Sequence, residues 1–181
     1  VVAGNSSVLA DKAGFRLPIE SVALQALVSE PIKPCMDVVV MANTVHGYMS
    51  QSDKGEMVIG GGTDGFNNYT QRGSFHHIEE TVRALIETFP MISRLKMLRQ
   101  WGGIVDVTGD RSPIISKTPL SGCFINCGWG TGGFKAIPGS GWAMAETMAT
   151  GSPSILASAF SLDRFKEGRF IDESVAAGVA H

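Results

Sequence analysis

One segment constrains this chain more than any other: Asn126-Cys127-Gly128-Trp129-Gly130-Thr131-Gly132-Gly133-Phe134-Lys135-Ala136-Ile137-Pro138. The apolar stretch Cys123 to Cys127 reads as a strand, and the residues from Pro138 to just before Gly151 read as a helix with proline near its first turn. A glycine-rich loop is therefore held between a strand and a helix. Four glycines in six residues bring backbone N–H groups within hydrogen-bond reach of a flat ligand or an anion. The helix N-terminus behind the loop adds partial positive charge, and Lys135 sits at its mouth. The set suits a ring system that carries negative charge when reduced, with a carboxylate beside it. A purely architectural strand-to-helix turn has the same signature, so the loop alone leaves both readings open.

Around it the pattern is that of an α+β chain with more strand than helix. Val1 to Gly4 reads as a strand end, and a short helix covers Val8 to Ala13. Val22, Leu24, Ala26 and Val28 alternate as one face of a half-buried strand over 18–30. Met36 to Met41 is continuously apolar, which suggests a strand buried on both faces. A hairpin follows, with arms 45–50 and 56–60 around the turn Ser52-Asp53-Lys54-Gly55. Ser74 can cap a helix whose apolar residues Phe75, Ile78, Val82, Leu85, Ile86 and Phe89 recur at helical spacing until Pro90 stops it. Residues 95–107 form a long strand or strand pair with a kink or bulge at Gly102-Gly103, and Ile114-Ile115 begins another short strand. The last helix presents Gly141, Ala145 and Ala149 on a face suited to close packing, and the tail from Asp163 reads as polar coil or frayed helix.

Composition narrows the function classes. With 44% hydrophobic and 18% charged residues the chain is globular rather than disordered. A net charge of -2 points away from nucleic acid and anionic membrane surfaces. No run is long and apolar enough to span a bilayer, so a soluble, cytoplasmic protein is expected. Three cysteines, Cys35, Cys123 and Cys127, are too few for a disulfide framework and read as buried thiols in a reducing compartment. His76 and His77 are adjacent and point to different faces, so no metal is expected there. His46 shares a strand face with Tyr48, where a packed histidine is the default reading. Asp106 and Asp110 could form a carboxylate pair, although turn chemistry in Asp110-Arg111-Ser112-Pro113 explains them more simply. The chain opens on Val1-Val2-Ala3-Gly4 as if in mid-strand, and is expected to be a fragment of a longer protein.

Gly128 to Lys135, preceded by Trp101-Gly102-Gly103-Ile104-Val105-Asp106-Val107-Thr108-Gly109-Asp110-Arg111-Ser112-Pro113-Ile114-Ile115, resembles the C-terminal flavin loop and approach strand of the FAD-dependent amine oxidases. That family includes sarcosine, glycine and D-amino-acid oxidases. Arg16-Leu17-Pro18-Ile19-Glu20 and the run from Gly128 through Pro138-Gly139-Ser140-Gly141 are most similar to its heterotetrameric sarcosine oxidase branch. The resemblance implies an antiparallel-rich mixed sheet with flanking helices, forming a substrate domain, plus the last elements of an FAD-binding α/β domain. Residues 1–14 would end the FAD-binding domain, 15–112 form the substrate domain, 113–152 return to the first domain with the flavin loop at 128–135, and 153–181 form a tail.

The same resemblance implies the chemistry. The intact protein would demethylate sarcosine to glycine by hydride transfer to FAD, with related dimethylglycine, glycine or D-amino-acid oxidation, or a non-catalytic scaffold, as alternatives. Gly128, Gly130, Thr131, Gly132, Gly133 and Phe134 would contact the flavin, with Trp129 packing nearby. Lys135 would pair with the substrate carboxylate, and Lys54 could assist the reaction with oxygen. FMN, tetrahydrofolate and further subunits are implied for the complete enzyme. No Gly-x-Gly-x-x-Gly follows an opening strand, so the FAD site in this chain would be incomplete and the piece alone inactive.

Overall fold

The computed structural model describes residues 4–45 and 47–171. Val1 to Ala3, His46 and the residues after Ile171 lie outside them, so the expected opening strand and the reading of His46 fall on undescribed residues. The elements are α1 (Ser6–Lys12), β1 (Ile19–Pro31), β2 (Val40–Ala42), β3 (Gly47–Gln51), β4 (Glu56–Thr63), α2 (Phe75–Thr88), β5 (Met97–Thr108), β6 (Ile114–Lys117), β7 (Phe124–Cys127), α3 (Gly133–Thr150) and α4 (Arg164–Glu167). The class is α+β with antiparallel sheets, as expected. Two compact units divide between Ser21 and Val22 and between Ile104 and Val105.

The middle unit is built on a five-stranded sheet ordered β2-β3-β4-β1-β5. Helix α2 starts on Ser74, whose hydroxyl accepts the His77 N–H at 3.4 Å. Its apolar stripe lies on a core of Leu27, Met49, Met57, Ile59, Leu85 and Ile92. Helix and sheet approach closely at Gly47, where a Cβ would stand 2.8 Å from Leu85 side-chain atoms.

Two expectations are corrected here. Both faces of β1 are buried rather than one: Ser21, Ala23, Gln25, Leu27 and Ser29 on one side, Val22 and Ala26 on the other, where Leu24 and Val28 are half-buried. Apolar alternation marks only one of these faces, because polar side chains occupy much of the other. Gln25 satisfies its amide by donating to Asp64 at 2.9 Å and accepting the Ser74 N–H at 2.7 Å, and Ser29 accepts the Met57 N–H at 3.0 Å. The run 36–41 is not a buried strand. Only Val40–Ala42 pairs, on the sheet edge, and Val38, Val39 and Met41 are exposed. Residues 97–108 form one strand, β5, rather than a pair. At Gly102 the missing side chain lets the Gln71 carbonyl reach the N–H at 2.9 Å, with a Cβ there only 3.3 Å from the Thr70 carbonyl oxygen.

The other unit packs the β6–β7 hairpin between two apolar clusters. Ile114, Ile125 and Cys127 join Ala10, Leu17 and Leu162 on one face, while Ile115 on the other meets Ala143 and Ala157. Helix α3 begins at Gly133, five residues before the expected start, so Pro138 lies inside it. A proline there lacks the N–H that would bond the Phe134 carbonyl. Its buried side is Ala143 and Thr147, and the expected packing face of Gly141, Ala145 and Ala149 is exposed. Gly151 ends the helix in the left-handed region at φ +72°. The tail is not simply polar coil. Arg164 in α4 is fully buried and pairs with Asp110 at 2.7 Å.

Candidate functional site

The glycine loop leaves β7 at Gly128, whose φ of +74° and whose contact with Thr108 admit no side chain; a Cβ there would lie 2.7 Å from the Thr108 methyl. Val107 and Trp129 then form an antiparallel bridge, and the Gly130 N–H donates to the Asp106 carbonyl at 2.8 Å. The loop is thus laced onto the end of β5. Trp129 turns its indole N–H to Asn126 at 2.6 Å and packs with Ile115, Ala143 and Ala157. The Gly132 N–H donates to the Trp129 carbonyl at 3.0 Å, which closes the turn into α3.

These bonds sort the candidate residues. The amides of Gly130 and Gly132 are engaged within the protein. The first-turn amides of α3, beginning at Gly133, Phe134 and Lys135, have no intrahelical carbonyl to reach, and no side chain caps them. Thr131 and Lys135 are exposed, and the Phe134 ring is 89% exposed. The donors free to meet a ligand are therefore those of the helix start rather than those of Gly130 and Gly132. Gly128, Gly130 and Gly133 do fall at Gly-x-Gly-x-x-Gly spacing. Yet among the described residues β7 pairs only with β6, antiparallel, unlike the parallel pairing of a dinucleotide-binding crossover.

Lys135 occupies the first turn of α3, where the helix dipole disfavours a cation, and that turn contains no acidic residue. Among the described residues no carboxylate lies within ion-pair distance of it. Helix dipole and ammonium together favour an anion at this end. Lys54 is exposed in the β3–β4 turn, in the other unit, with its N–H donating to the Ser52 hydroxyl at 3.2 Å.

The remaining candidates have structural partners. His76 pairs with Glu80 at 3.3 Å, and His77 places Nε2 3.1 Å from the Gly61 carbonyl oxygen. Among the described residues no cluster could hold a metal. Asp110 follows the expected turn chemistry, accepting the Ser112 N–H at 3.2 Å beside Arg111 at φ +58°. Burial alone would raise its pKa. The bonds from Arg164 and from the Ile171 and Ser112 amides, together with the Arg164 charge, outweigh that and hold it at about 2. Asp106 is a different case, buried in a strand interior and far from any turn role. Neither it nor Arg164 is distinguishable by residue type alone; a carboxylate inside the apolar run Ile104 to Val107 was the available signal.

Cys127 is buried, and desolvation, then the nearby Asp106, push its thiol up to about 12. At pH 8 it is expected to resist iodoacetamide in the native protein and to react only on unfolding, as peptide mass mapping would show. Modification of native Cys127 at the rate of a free thiol would contradict this packing.

Residues 1–147 match the family model described as DAO, FAD dependent oxidoreductase. The protein "Sarcosine oxidase subunit beta" of Rhodobacter capsulatus is 82% identical over all 181 residues, which cover 44% of its length. A protein of the same name from an Arthrobacter species is 56% identical over 99% of this chain and 44% of its own. The chain thus spans less than half the length of these curated relatives. Among solved structures, L-proline dehydrogenase from P. horikoshii superposes with a TM-score of 0.76 at 25% identity, over 87% of this chain and 43% of that one. Glycine oxidase from Geobacillus kaustophilus does so with 0.77 at 20% identity, over 91% and 45%.

Proposed function

Because this chain belongs to the FAD dependent oxidoreductase family, we propose that it is the C-terminal part of a flavin-dependent sarcosine oxidase, the counterpart of the beta subunits it resembles. The observation that carries this is 82% identity to a protein of that name, over an alignment that spans the whole chain. The activity is that of the longer protein, and this piece alone is inactive.

The loop fits one end of a flavin. Its glycines leave the backbone bare, Gly130 has nothing within 4 Å of a Cβ position, and the uncapped amides of α3 face no internal acceptor. Bound FAD supplies the acceptor for the hydride equivalents lost from the N-methyl group of sarcosine. The residues of this chain hold and orient. Gly128 and Gly130 keep the loop against β5, and Thr131, Gly133 and Phe134 would hold the flavin, with Gly132 closing the turn behind them. Amides aimed at charge that grows on reduction favour the reduced ring. Lys135 takes the substrate carboxylate. Lys54, in the hairpin turn of the other unit, would lend its charge to the reaction with oxygen.

The glycine loop belongs to the unit of residues up to Ser21 and from Val105 onward, and the unit between them is read as the substrate domain. FMN, tetrahydrofolate, partner subunits in a heterotetramer and a cytoplasmic site of action complete the reading. No helix among the described residues is long and apolar enough to cross a membrane.

The test is the visible spectrum of the full-length protein with its partner subunits, before and after anaerobic addition of sarcosine. Flavin bands are expected to bleach with sarcosine and not with glycine or D-alanine. Bands that ignore sarcosine would end the assignment of substrate, and a preparation without flavin would end the assignment of cofactor.

A further inference from the structure

We propose that Asp106 is a positioning residue for the flavin, bracing the glycine loop through its main chain while its carboxylate fixes β5, the strand onto which the loop is laced. The inference rests on the reading of that loop as a flavin contact. Asp106 is 1% exposed and lies in β5 rather than at a turn. One carboxylate oxygen accepts the Gly4 N–H at 3.0 Å, and the other accepts the Ser21 hydroxyl at 2.8 Å. Its own carbonyl accepts the Gly130 N–H at 2.8 Å, and the next residue, Val107, bridges to Trp129. One residue therefore joins four places: the segment before α1, the first part of β1, the end of β5 and the glycine loop.

A buried carboxylate is costly to desolvate, and among the described residues this one has no ion-pair partner to offset that cost. An apolar residue would pack this strand position at less expense to stability. What only an acceptor-bearing side chain of this length provides is a tie to the Gly4 amide and the Ser21 hydroxyl, which fixes the height of the Asp106 carbonyl and hence of Gly130. Charge is not what the brace requires. Asparagine has the same shape, can accept from Gly4 with its oxygen and can donate with its amide to Ser21, whose hydroxyl then accepts. Geometry and charge are separable by substitution on this ground.

The experiment uses the full-length protein with its partner subunits and three variants: Asp106→Ala, Asp106→Asn and Ser21→Ala. The readouts are the dissociation constant for FAD, from recovery of flavin fluorescence on release, and the visible circular dichroism of the bound flavin. Asp106→Ala is expected to weaken FAD binding on the order of tenfold or more and to change the dichroic band. Asp106→Asn should restore both nearly to wild type, and Ser21→Ala should fall between. Wild-type affinity and band shape in Asp106→Ala would overturn the proposal, as would an Asn variant as defective as the Ala one. Should Asp106→Ala fail to fold, Ser21→Ala decides, and no change in either readout there overturns the brace. Wild-type protein that holds no flavin would instead overturn the reading of the loop itself, which the three variants do not touch.

Discussion

Replacing Arg164 with methionine is expected to lower stability by about 3–5 kcal/mol at neutral pH, the cost of leaving a buried carboxylate without its partner. Arg164 and Asp110 side chains are 1% and 2% exposed. The guanidinium donates through Nε to Oδ2 at 2.7 Å and through Nη2 to Oδ1 at 2.9 Å, and its other bonds reach the Ser112 and Ser161 carbonyls. Its plane also lies over the Phe165 ring, 4.1 Å from the centroid. Lysine cannot reproduce this fork, so Arg164→Lys should recover little. Adding Asp110→Asn to Arg164→Met should recover a large part, because the stranded charge is then gone. Urea denaturation of the intact protein, followed by circular dichroism, would show a lower midpoint for the single variant and a partial return for the double.

The pH dependence has a definite sign. Asp110 titrates at about 2 in the folded chain against an ordinary 3.8, so its contribution is fully present above about pH 4 and disappears as pH falls towards 2. In the Met variant the folded carboxyl no longer resists protonation. The gap between wild type and variant should therefore narrow over that acid window. A gap that stayed constant down to pH 2 would mean that lost packing, not the ion pair, sets the cost.

That ion pair also shows where sequence reading stops. The segment Asp110 to Pro113 is legible as a turn from its residue types, but nothing local says that Asp110 waits for a partner 54 residues on. Elements written in local spacing came through: the Ser74-capped helix, the β3–β4 hairpin and the strand-loop-helix at Gly128. Those that depend on what lies opposite did not. The run 36–41 is apolar whether a strand sits at the centre or the edge of a sheet, and only pairing places it at the edge. β1 buries Gln25 and Ser29 because Asp64, Ser74 and the Met57 amide answer them from other elements. The start of α3 was missed for a different reason. In the sequence Pro138 has the signature of a first-turn proline, whereas the helix sacrifices one bond there to begin on the glycines. That earlier start is what places Lys135 in the first turn of α3.

From that position follows the largest functional effect expected of any single side chain in the loop. Lys135→Met in the intact enzyme should reduce kcat/KM for sarcosine on the order of 100-fold, the worth of about 2–3 kcal/mol for a charge-assisted bond to a carboxylate. The carboxylate does not change charge during the reaction, so the bond is present in bound substrate and transition state alike. The loss should therefore fall mainly on KM, with kcat changed far less. A simple carboxylate that competes with sarcosine should weaken in parallel, while flavin content and absorbance stay as in wild type. No structural duty recommends a lysine here: it lies exposed at the positive end of a helix, unpaired with any acid among the described residues. Lys135→Met is accordingly expected to leave stability unchanged or slightly higher. Unaltered KM with unaltered flavin would make Lys135 a solvated surface residue and move the carboxylate partner to another part of the protein. A fall in kcat at constant KM would instead assign the ammonium to charge that develops only during transfer.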